Sequence, residues 1–331
     1  MKKETVIVLG SNSFSGSDFI DHLLEQKRFE VIGISRSPEK NSIFLPYKRF
    51  AKSQFRFYQY DLNHQMEQLV KLLAKVKPYY IVNFAAQSEV APSWEHPEHW
   101  FATNTVSLAK LLKYLSTAHY LTRYVHISSP EVYGTTTGVV TESAPLNPST
   151  PYAASKAAAD LLLFTYFKQF RFPVTFVRST NVYGAHQQLF KIIPRSVIYL
   201  KLGRIIPLHG AGKAVKSYIH IRDVSRGELL IMEKGHVGEL YHLSPARGVS
   251  VRAVVELICK ILGKSFQKST TIAPERPGQD KAYVIDSTKA RRELHWKSEI
   301  TLEQGINDVV NWIETNWPEI KNLPLEYIHK A

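Results

Sequence analysis

The first half of the chain alternates short apolar runs with segments of helical period, and that alternation restricts the fold more than any other feature. Val6-Ile7-Val8-Leu9 is too short for a helix and reads as a buried strand. A glycine-bearing turn follows, then a helix with Phe14, Ile20, Leu23 and Leu24 facing inward. Val31 to Ile34 and Phe55 to Tyr58 repeat the strand signature, Met66 to Val76 the helical one, and Tyr79 to Phe84 makes a fourth strand. A helix around His96 to Leu115 leads into a strand at Tyr124 to Ile127. Thr150 can cap a further helix, Pro151 suits its first position, and a strand at Val174 to Val177 follows. Repeats of this kind predict an α/β fold, a doubly wound parallel sheet with right-handed crossovers.

Beyond Val177 the pattern is broken by Pro194, Gly203, Pro207, Gly210 and Gly212. Residues 1–177 are therefore expected to form a nucleotide-binding domain, with a returning segment near 219–244. Residues 178–218 and 245–331 are expected to form a smaller α/β substrate-binding lobe.

With 331 residues, 44% of them hydrophobic, the chain can bury a core of this size. Its single cysteine, Cys259, allows no intrachain disulfide and suits a reducing compartment. The apolar run near the start is too brief for a signal-peptide core, and no segment approaches the roughly eighteen apolar residues of a membrane span. A cytoplasmic protein without a membrane partner is the expectation. The net charge of +13 comes from bases scattered among acids, densest between Lys191 and Arg226. With no RNA-binding or zinc-finger signature there, small phosphorylated ligands are expected rather than nucleic acid. His119, His126, His209, His220 and His242 lack metal-ligand spacing, and no metal is expected.

Two motifs carry chemistry. Gly10-Ser11-Asn12-Ser13-Phe14-Ser15-Gly16 lies between the first strand and its helix, where backbone N–H groups and a helix N-terminus can meet a pyrophosphate. Tyr152-Ala153-Ala154-Ser155-Lys156 places a phenol and an ammonium four residues apart on one helical face. A nearby cation stabilises phenolate, so Tyr152 is a candidate base towards a sugar hydroxyl, with Lys156 lowering its pKa. At the end of the second strand, Ile34-Ser35-Arg36-Ser37 has no carboxylate for a ribose 2′-hydroxyl, and Arg36 can pair with a 2′-phosphate. NADP is expected over NAD.

Together these motifs resemble the extended short-chain dehydrogenase/reductases, specifically the nucleotide-sugar epimerase/dehydratase family with its Rossmann-type domain. Asp61-Leu62 resembles the family's adenine contact, and Asn83-Phe84-Ala85-Ala86-Gln87-Ser88 its stretch beside the cofactor. Ser128-Ser129-Pro130-Glu131-Val132-Tyr133-Gly134 resembles its catalytic loop, and Arg178 with Asn181-Val182-Tyr183-Gly184 its entry to the substrate lobe. His220-Ile221-Arg222-Asp223 and Arg276-Pro277-Gly278-Gln279-Asp280 resemble its later signatures. Gln87-Ser88, Ser93-Trp94 and Glu131 look most like GDP-mannose 4,6-dehydratases.

There are departures. Ser13 stands at the family's central glycine and could offer a hydroxyl to the pyrophosphate. Pro130 stands where dTDP-glucose dehydratases carry the Asp that protonates the departing hydroxyl. Lys216 replaces an arginine that commonly grips the diphosphate, keeping the charge but losing the bidentate fork.

The resemblance implies a lyase that converts a nucleoside-diphosphate hexose into its 4-keto-6-deoxy sugar. Tyr152 would be the base at the 4-hydroxyl, Lys156 would hold the nicotinamide ribose, Ser129 would bond the sugar oxygen and Glu131 would act at C5. Gly10, Ser13, Phe14, Gly16, Arg36, Asp61, Leu62, Ala85 and Ala86 would line the cofactor. Ser88, Asn181, Lys216 and Arg276 would bind the substrate, the last two its diphosphate. The family's usual pair of interface helices, around His96 to Leu115 and after Pro151, implies a homodimer. The alternatives are an epimerase or decarboxylase on the same scaffold, or a non-catalytic nucleotide- or RNA-binding relative.

Overall fold

The computed structural model describes residues 3–136, 138–274 and 282–330. Strand β1 (Glu4–Leu9) leads into helix α1 (Phe14–Glu25), and β2 (Phe29–Ser35), β3 (Phe55–Gln59) and β4 (Tyr80–Asn83) follow, with α2 (Met66–Val76) before β4. A helical stretch comes next, α3 (Pro97–Phe101) and α4 (Ser107–Leu115), and then β5 (Arg123–Ile127), α5 (Pro151–Phe170) and β6 (Val174–Ser179). Further on, α6 (Ile192–Lys201) and α7 (Ile221–Lys234) precede β7 (Leu240–Leu243), and α8 (Val251–Ile261) follows it.

The seven strands form one sheet in the order β7-β6-β5-β4-β1-β2-β3, and every pairing is parallel. The chain winds outward from β1 in both directions, so the strand order reverses between β1 and β4. In such sheets the crevice at the carboxyl ends of these strands is the ligand site. The strands anticipated from apolar runs are present, with bounds shifted by a residue or two. The returning segment behaves differently from expectation. Tyr218–His220 pairs with Asn181–Tyr183 in a separate two-stranded sheet, and only Leu240–Leu243 joins the main one.

Each face of the sheet is covered. Phe19, Ile20 and Leu23 of α1 pack with Val224, Ile231 and Met232 of α7 on one side. Leu69, Leu72, Leu111, Leu112 and Leu163, from α2, α4 and α5, pack on the other. A separate core joins Ile193 and Val197 of α6, Val254 and Ile258 of α8, and Val309 and Ile313 of the helix Leu302–Thr315.

Local chemistry sets the helix ends near the crevice. Ser13 is the N-cap of α1, its side chain accepting from Gly16 N at 3.0 Å. Thr150 caps α5 by accepting from Ala153 N at 3.1 Å, and Pro151 occupies the first turn as anticipated. Between α3 and α4 a π turn at Ala102–Val106 widens the helix. Its buried Asn104 accepts from Gln87 N at 2.9 Å and donates to Gln87 O at 3.0 Å and Ser155 Oγ at 2.9 Å. This insertion ties the segment after β4 to α5. Among the described residues no helix is long and apolar enough to cross a membrane.

Candidate active site

The turn after β1 is built for close approach. Gly10 has φ +80°, and a Cβ there would lie 2.6 Å from Ala85 N and 2.7 Å from Phe84 C. A Cβ on Gly16 would lie 2.5 Å from Gly10 O. The α1 N-terminus thus opens at the strand reversal, and buried Asn12 Oδ1 has no partner among the described residues. These features fit a dinucleotide pyrophosphate. Ser13 Oγ acts as helix cap; Phe14 is buried.

Around the turn stand the other expected cofactor residues. Asp61 Oδ1 accepts from Asn63 N at 2.8 Å, and Leu62 and Ala85 pack against the core of the α2 face. Ala85 N donates to Asn83 Oδ1 at 3.0 Å, and Ala86 is half-buried. Arg36 follows β2 as anticipated, and its Nη2 donates to Lys330 O at 2.9 Å. The same carbonyl accepts from Gln87 Nε2 at 2.7 Å. Nothing in the sequence patterning pointed to this visit by the C-terminal segment.

The catalytic candidates converge at the carboxyl end of β5 and the start of α5. Ser129 makes a hydrogen bond to the Tyr152 side chain, and the Glu131 charge acts on the same phenol. Tyr152 N donates to Ser93 Oγ at 3.2 Å, and Ser93 Oγ donates to Val90 O at 2.6 Å. Lys156, one helical turn on and 3% exposed, donates from Nζ to Ile127 O at 2.7 Å.

The electrostatics correct one expectation. Burial, reinforced by Glu131, pushes the Tyr152 phenol above its ordinary value, and the Ser129 contact opposes this without reversing it. The expected lowering by Lys156 does not prevail. Burial also pulls Lys156 down to about 8, with Asp160 opposing the fall and Arg178 adding to it.

Beneath this pair lies a polar network that the sequence reading did not assemble. Asp160 is fully buried and accepts from Ser128 Oγ and Arg178 Nη2, each at 2.6 Å. His126 Nε2 lies 3.4 Å from Asp160 Oδ1. Burial alone would raise the Asp160 carboxyl, but His126, Arg178 and Ser128 outweigh it and hold it well below the usual carboxylate range. Burial lowers His126 to about 4, so the ring is neutral near pH 7. The available signal was a carboxylate four residues beyond Lys156 on the inward face of an alanine-rich helix.

The substrate candidates are more dispersed. Ser88 is exposed. Asn181 is half-buried, with its Nδ2 donating to Ser217 O at 3.4 Å. Lys216, also half-buried, ends the short strand Val215–Lys216 immediately before Ser217. Arg276 lies outside the described residues. One grouping was not anticipated: His96, Glu98 and His99 place ligand atoms within 4.8 Å of one another.

A strand reversal with a glycine turn, facing a buried tyrosine–lysine pair, defines a short-chain dehydrogenase/reductase. The model of the family "GDP-mannose 4,6 dehydratase" matches residues 7–309, and the chain belongs to that family of extended short-chain dehydrogenase/reductases. A dTDP-glucose 4,6-dehydratase from Xanthomonas campestris pv. campestris is 34% identical over 266 residues, which are 75% of this chain and 76% of the relative. Its counterpart from Haemophilus influenzae is 29% identical, covering 93% and 97% of the two chains. Among solved structures, the dTDP-glucose 4,6-dehydratase DesIV of Streptomyces venezuelae, with NAD bound, superposes with a TM-score of 0.88. It is 31% identical, with 95% of this chain and 98% of that one covered. These likenesses make the chain a nucleotide-sugar-modifying enzyme that uses a nicotinamide dinucleotide.

Proposed function

We propose that the protein is an NAD-dependent 4,6-dehydratase of a nucleoside-diphosphate hexose. The observation that carries this reading is the convergence of Ser129, Glu131 and Tyr152 above buried Lys156. Two finer points depart from the sequence expectation. DesIV and the dTDP-glucose 4,6-dehydratase of Bacillus anthracis have NAD bound, and Arg36 has a partner in Lys330 O; both favour NAD over NADP. The relatives favour dTDP-glucose as the first substrate to assay, while Pro130 in place of an aspartate keeps GDP-mannose as the second.

When bound, the dinucleotide supplies a two-electron acceptor that is restored by the end of turnover. Tyr152 takes the proton of the sugar 4-hydroxyl, with Ser129 bonding the same oxygen. Because burial favours the neutral phenol, the Lys156 ammonium is needed beside it to make that transfer affordable. The ketone acidifies the C5 hydrogen, which Glu131 removes. Pro130 has no proton to give, so Glu131 returns one to the departing 6-hydroxyl. Gly10, Ser13, Phe14, Gly16, Asp61, Leu62, Ala85 and Ala86 line the cofactor. Ser88, Asn181, Lys216 and Arg276 hold the substrate, the two cations gripping its diphosphate. The chain divides into the nucleotide-binding and substrate lobes given above, and it works as a homodimer in the cytoplasm.

Incubation with dTDP-glucose, UDP-glucose and GDP-mannose tests the reading. One of them should lose a water and, in deuterated water, carry deuterium at C5. Product of unchanged mass inverted at C4 would instead make the enzyme an epimerase.

A further inference from the structure

We propose that Asp160 is a positioning residue for this reaction: one buried carboxylate fixes Ser128 at the head of the catalytic loop and gives Lys156 its counter-charge. The proposal rests on the tyrosine–lysine chemistry above. Asp160 lies four residues after Lys156 on α5, so both side chains leave the same helical face. Its Oδ2 takes the Ser128 hydroxyl and the Arg178 guanidinium, each at 2.6 Å, and Ser128 adjoins Ser129. Lys156 itself is anchored to Ile127 O, one residue before Ser128. One anion therefore binds the helix carrying Tyr152 and Lys156 to the strand end carrying Ser129 and Glu131.

The charges facing this cluster come from every neighbouring element. His126 lies on β5 and is neutral near pH 7; Arg178 lies on β6; Glu131 and Glu89 act on Tyr152 from the loops after β5 and β4. His242 on β7 is lowered to about 3 by burial first and Arg178 second, so it too is neutral. Without Asp160, Lys156 and Arg178 would be two buried cations sharing no anion, and Lys156 would give up its proton more readily.

The test is D160N in the full-length enzyme. The alkaline limb of kcat, where Lys156 loses its proton, should move at least one pH unit towards acid, with KM for the sugar changed less than threefold. NAD affinity, titrated calorimetrically between pH 6 and 9, should show the same displacement without any turnover. That second measurement separates the proposal from the substrate assignment. A D160N enzyme that folds cooperatively and loses activity evenly at all pH values, or whose limb stays near the wild-type pH, overturns it. Ser128→Ala, which leaves the carboxylate in place, should lower kcat without moving the limb; a moved limb there also overturns it.

A second observation stands independently. From Leu323 to Lys330 the chain is extended, with Leu323, Leu325, Tyr327 and His329 turned inward and the residues between them exposed. Leu323 and Leu325 pack on the α6–α8 core, and Tyr327 meets the edge of Phe190 at 5.5 Å. His329 stacks on Trp100 at 5.2 Å and 15°, with its Nε2 3.0 Å from His99 Nδ1. Lys330 O then bridges Arg36 after β2 and Gln87 after β4, the two strands that flank β1. That bridge crosses the carboxyl end of β1 at the strand reversal, along the line a dinucleotide takes from its adenosine to its nicotinamide.

We infer that residues 323–330 are a strap whose seated position competes with the dinucleotide. The apparent dissociation constant is then the intrinsic one divided by the fraction of chains with the strap released. Hydrogen exchange of the full chain should show peptides covering 324–331 exchanging faster with NAD bound than without. H329A, which loses the Trp100 stack and the His99 contact, should bind NAD about threefold to tenfold more tightly. Unchanged or slower exchange on NAD binding, or an unchanged or weaker NAD affinity in H329A, overturns the inference and makes the segment a wall of the site.

Discussion

Single residues divide here into those that carry chemistry and those that burden the fold. Oxidation at C4 requires Tyr152 and Lys156, which every outcome on this scaffold shares, so Glu131 decides what happens next. Loss of a positioned acid or base typically costs about 10²–10⁴-fold in rate. Glu131→Gln is expected to stop water loss by that factor while the sugar still transiently reduces bound dinucleotide, seen as absorbance of the reduced nicotinamide in stopped flow. Glu228 is a burden of the second kind. It is fully buried on α7, neither carboxyl oxygen has a partner among the described residues, and burial, with Asp18 adding to it, raises its pKa well above the ordinary value. The folded chain keeps that proton where an unfolded chain, with a glutamate pKa of about 4.3, has lost it. The resulting contribution is present below that pH and falls away as pH rises towards the folded pKa. Glu228→Gln should therefore raise the melting temperature at pH 8 and change it little at pH 4, the difference amounting to about 1–3 kcal/mol. Tyr152, Lys156, Ser129 and Glu131 were legible because local spacing names them. Asp160 and Glu228 were not, because their meaning depends on what long-range packing puts beside them.

Elements were legible where their signal is local. Met66–Val76 has the bounds its spacing implied, and Thr150-Pro151 opens α5 through the cap and first turn that those residue types favour. The π turn at Ala102–Val106 was not legible, because it exists to aim Asn104 at Gln87 and Ser155, contacts 17 and 51 residues away. The extended segment 323–330 escaped for a related reason: its alternation becomes visible only once there is a surface to lie on. The β1–α1 turn offers an element-scale prediction. An alanine Cβ at Gly10 meets backbone at 2.6 Å, whereas at Gly203, also at positive φ (+65°), it meets nothing within 4 Å. Strain at positive φ is common to both sites and costs about 1–2 kcal/mol. Gly203→Ala should lower the melting temperature and leave NAD affinity intact, while Gly10→Ala should lower both, with affinity down at least tenfold by calorimetry. Equal NAD affinity in the two variants would remove the turn from the cofactor site.

At the scale of the whole molecule the unsettled element is the partner. Small side chains on α5 first suggested close approach of a second copy, but Ala153, Ala157 and Ala159 are buried within this chain, which gives those alanines a use inside one subunit. What remains is the outer surface of the same helices. Phe101 before the π turn and Val106 within it are 37% and 49% exposed, and Leu161 on α5 is 57% exposed. Large apolar side chains left outward on neighbouring helices mark a protein-binding surface more often than an isolated one does. A symmetric dimer buries the same patch of both copies, so each substitution acts twice. The proposed homodimer through these helices predicts a solution mass of two chains at micromolar concentration by light scattering. Leu161→Arg places two cations where the two α5 helices meet and should yield a monomer with an unchanged melting profile at low protein concentration. Ile272→Arg, at a residue equally apolar and 76% exposed but on the strand Thr270–Ala273, should leave the dimer intact. A wild-type mass of one chain would end the proposal outright. A Leu161→Arg dimer as tight as wild type would move the interface to another face. Because α5 also carries Tyr152, Lys156 and Asp160, loss of the dimer should reach the active site through the helix itself, lowering kcat while the lobe that holds the nucleotide keeps KM nearly constant.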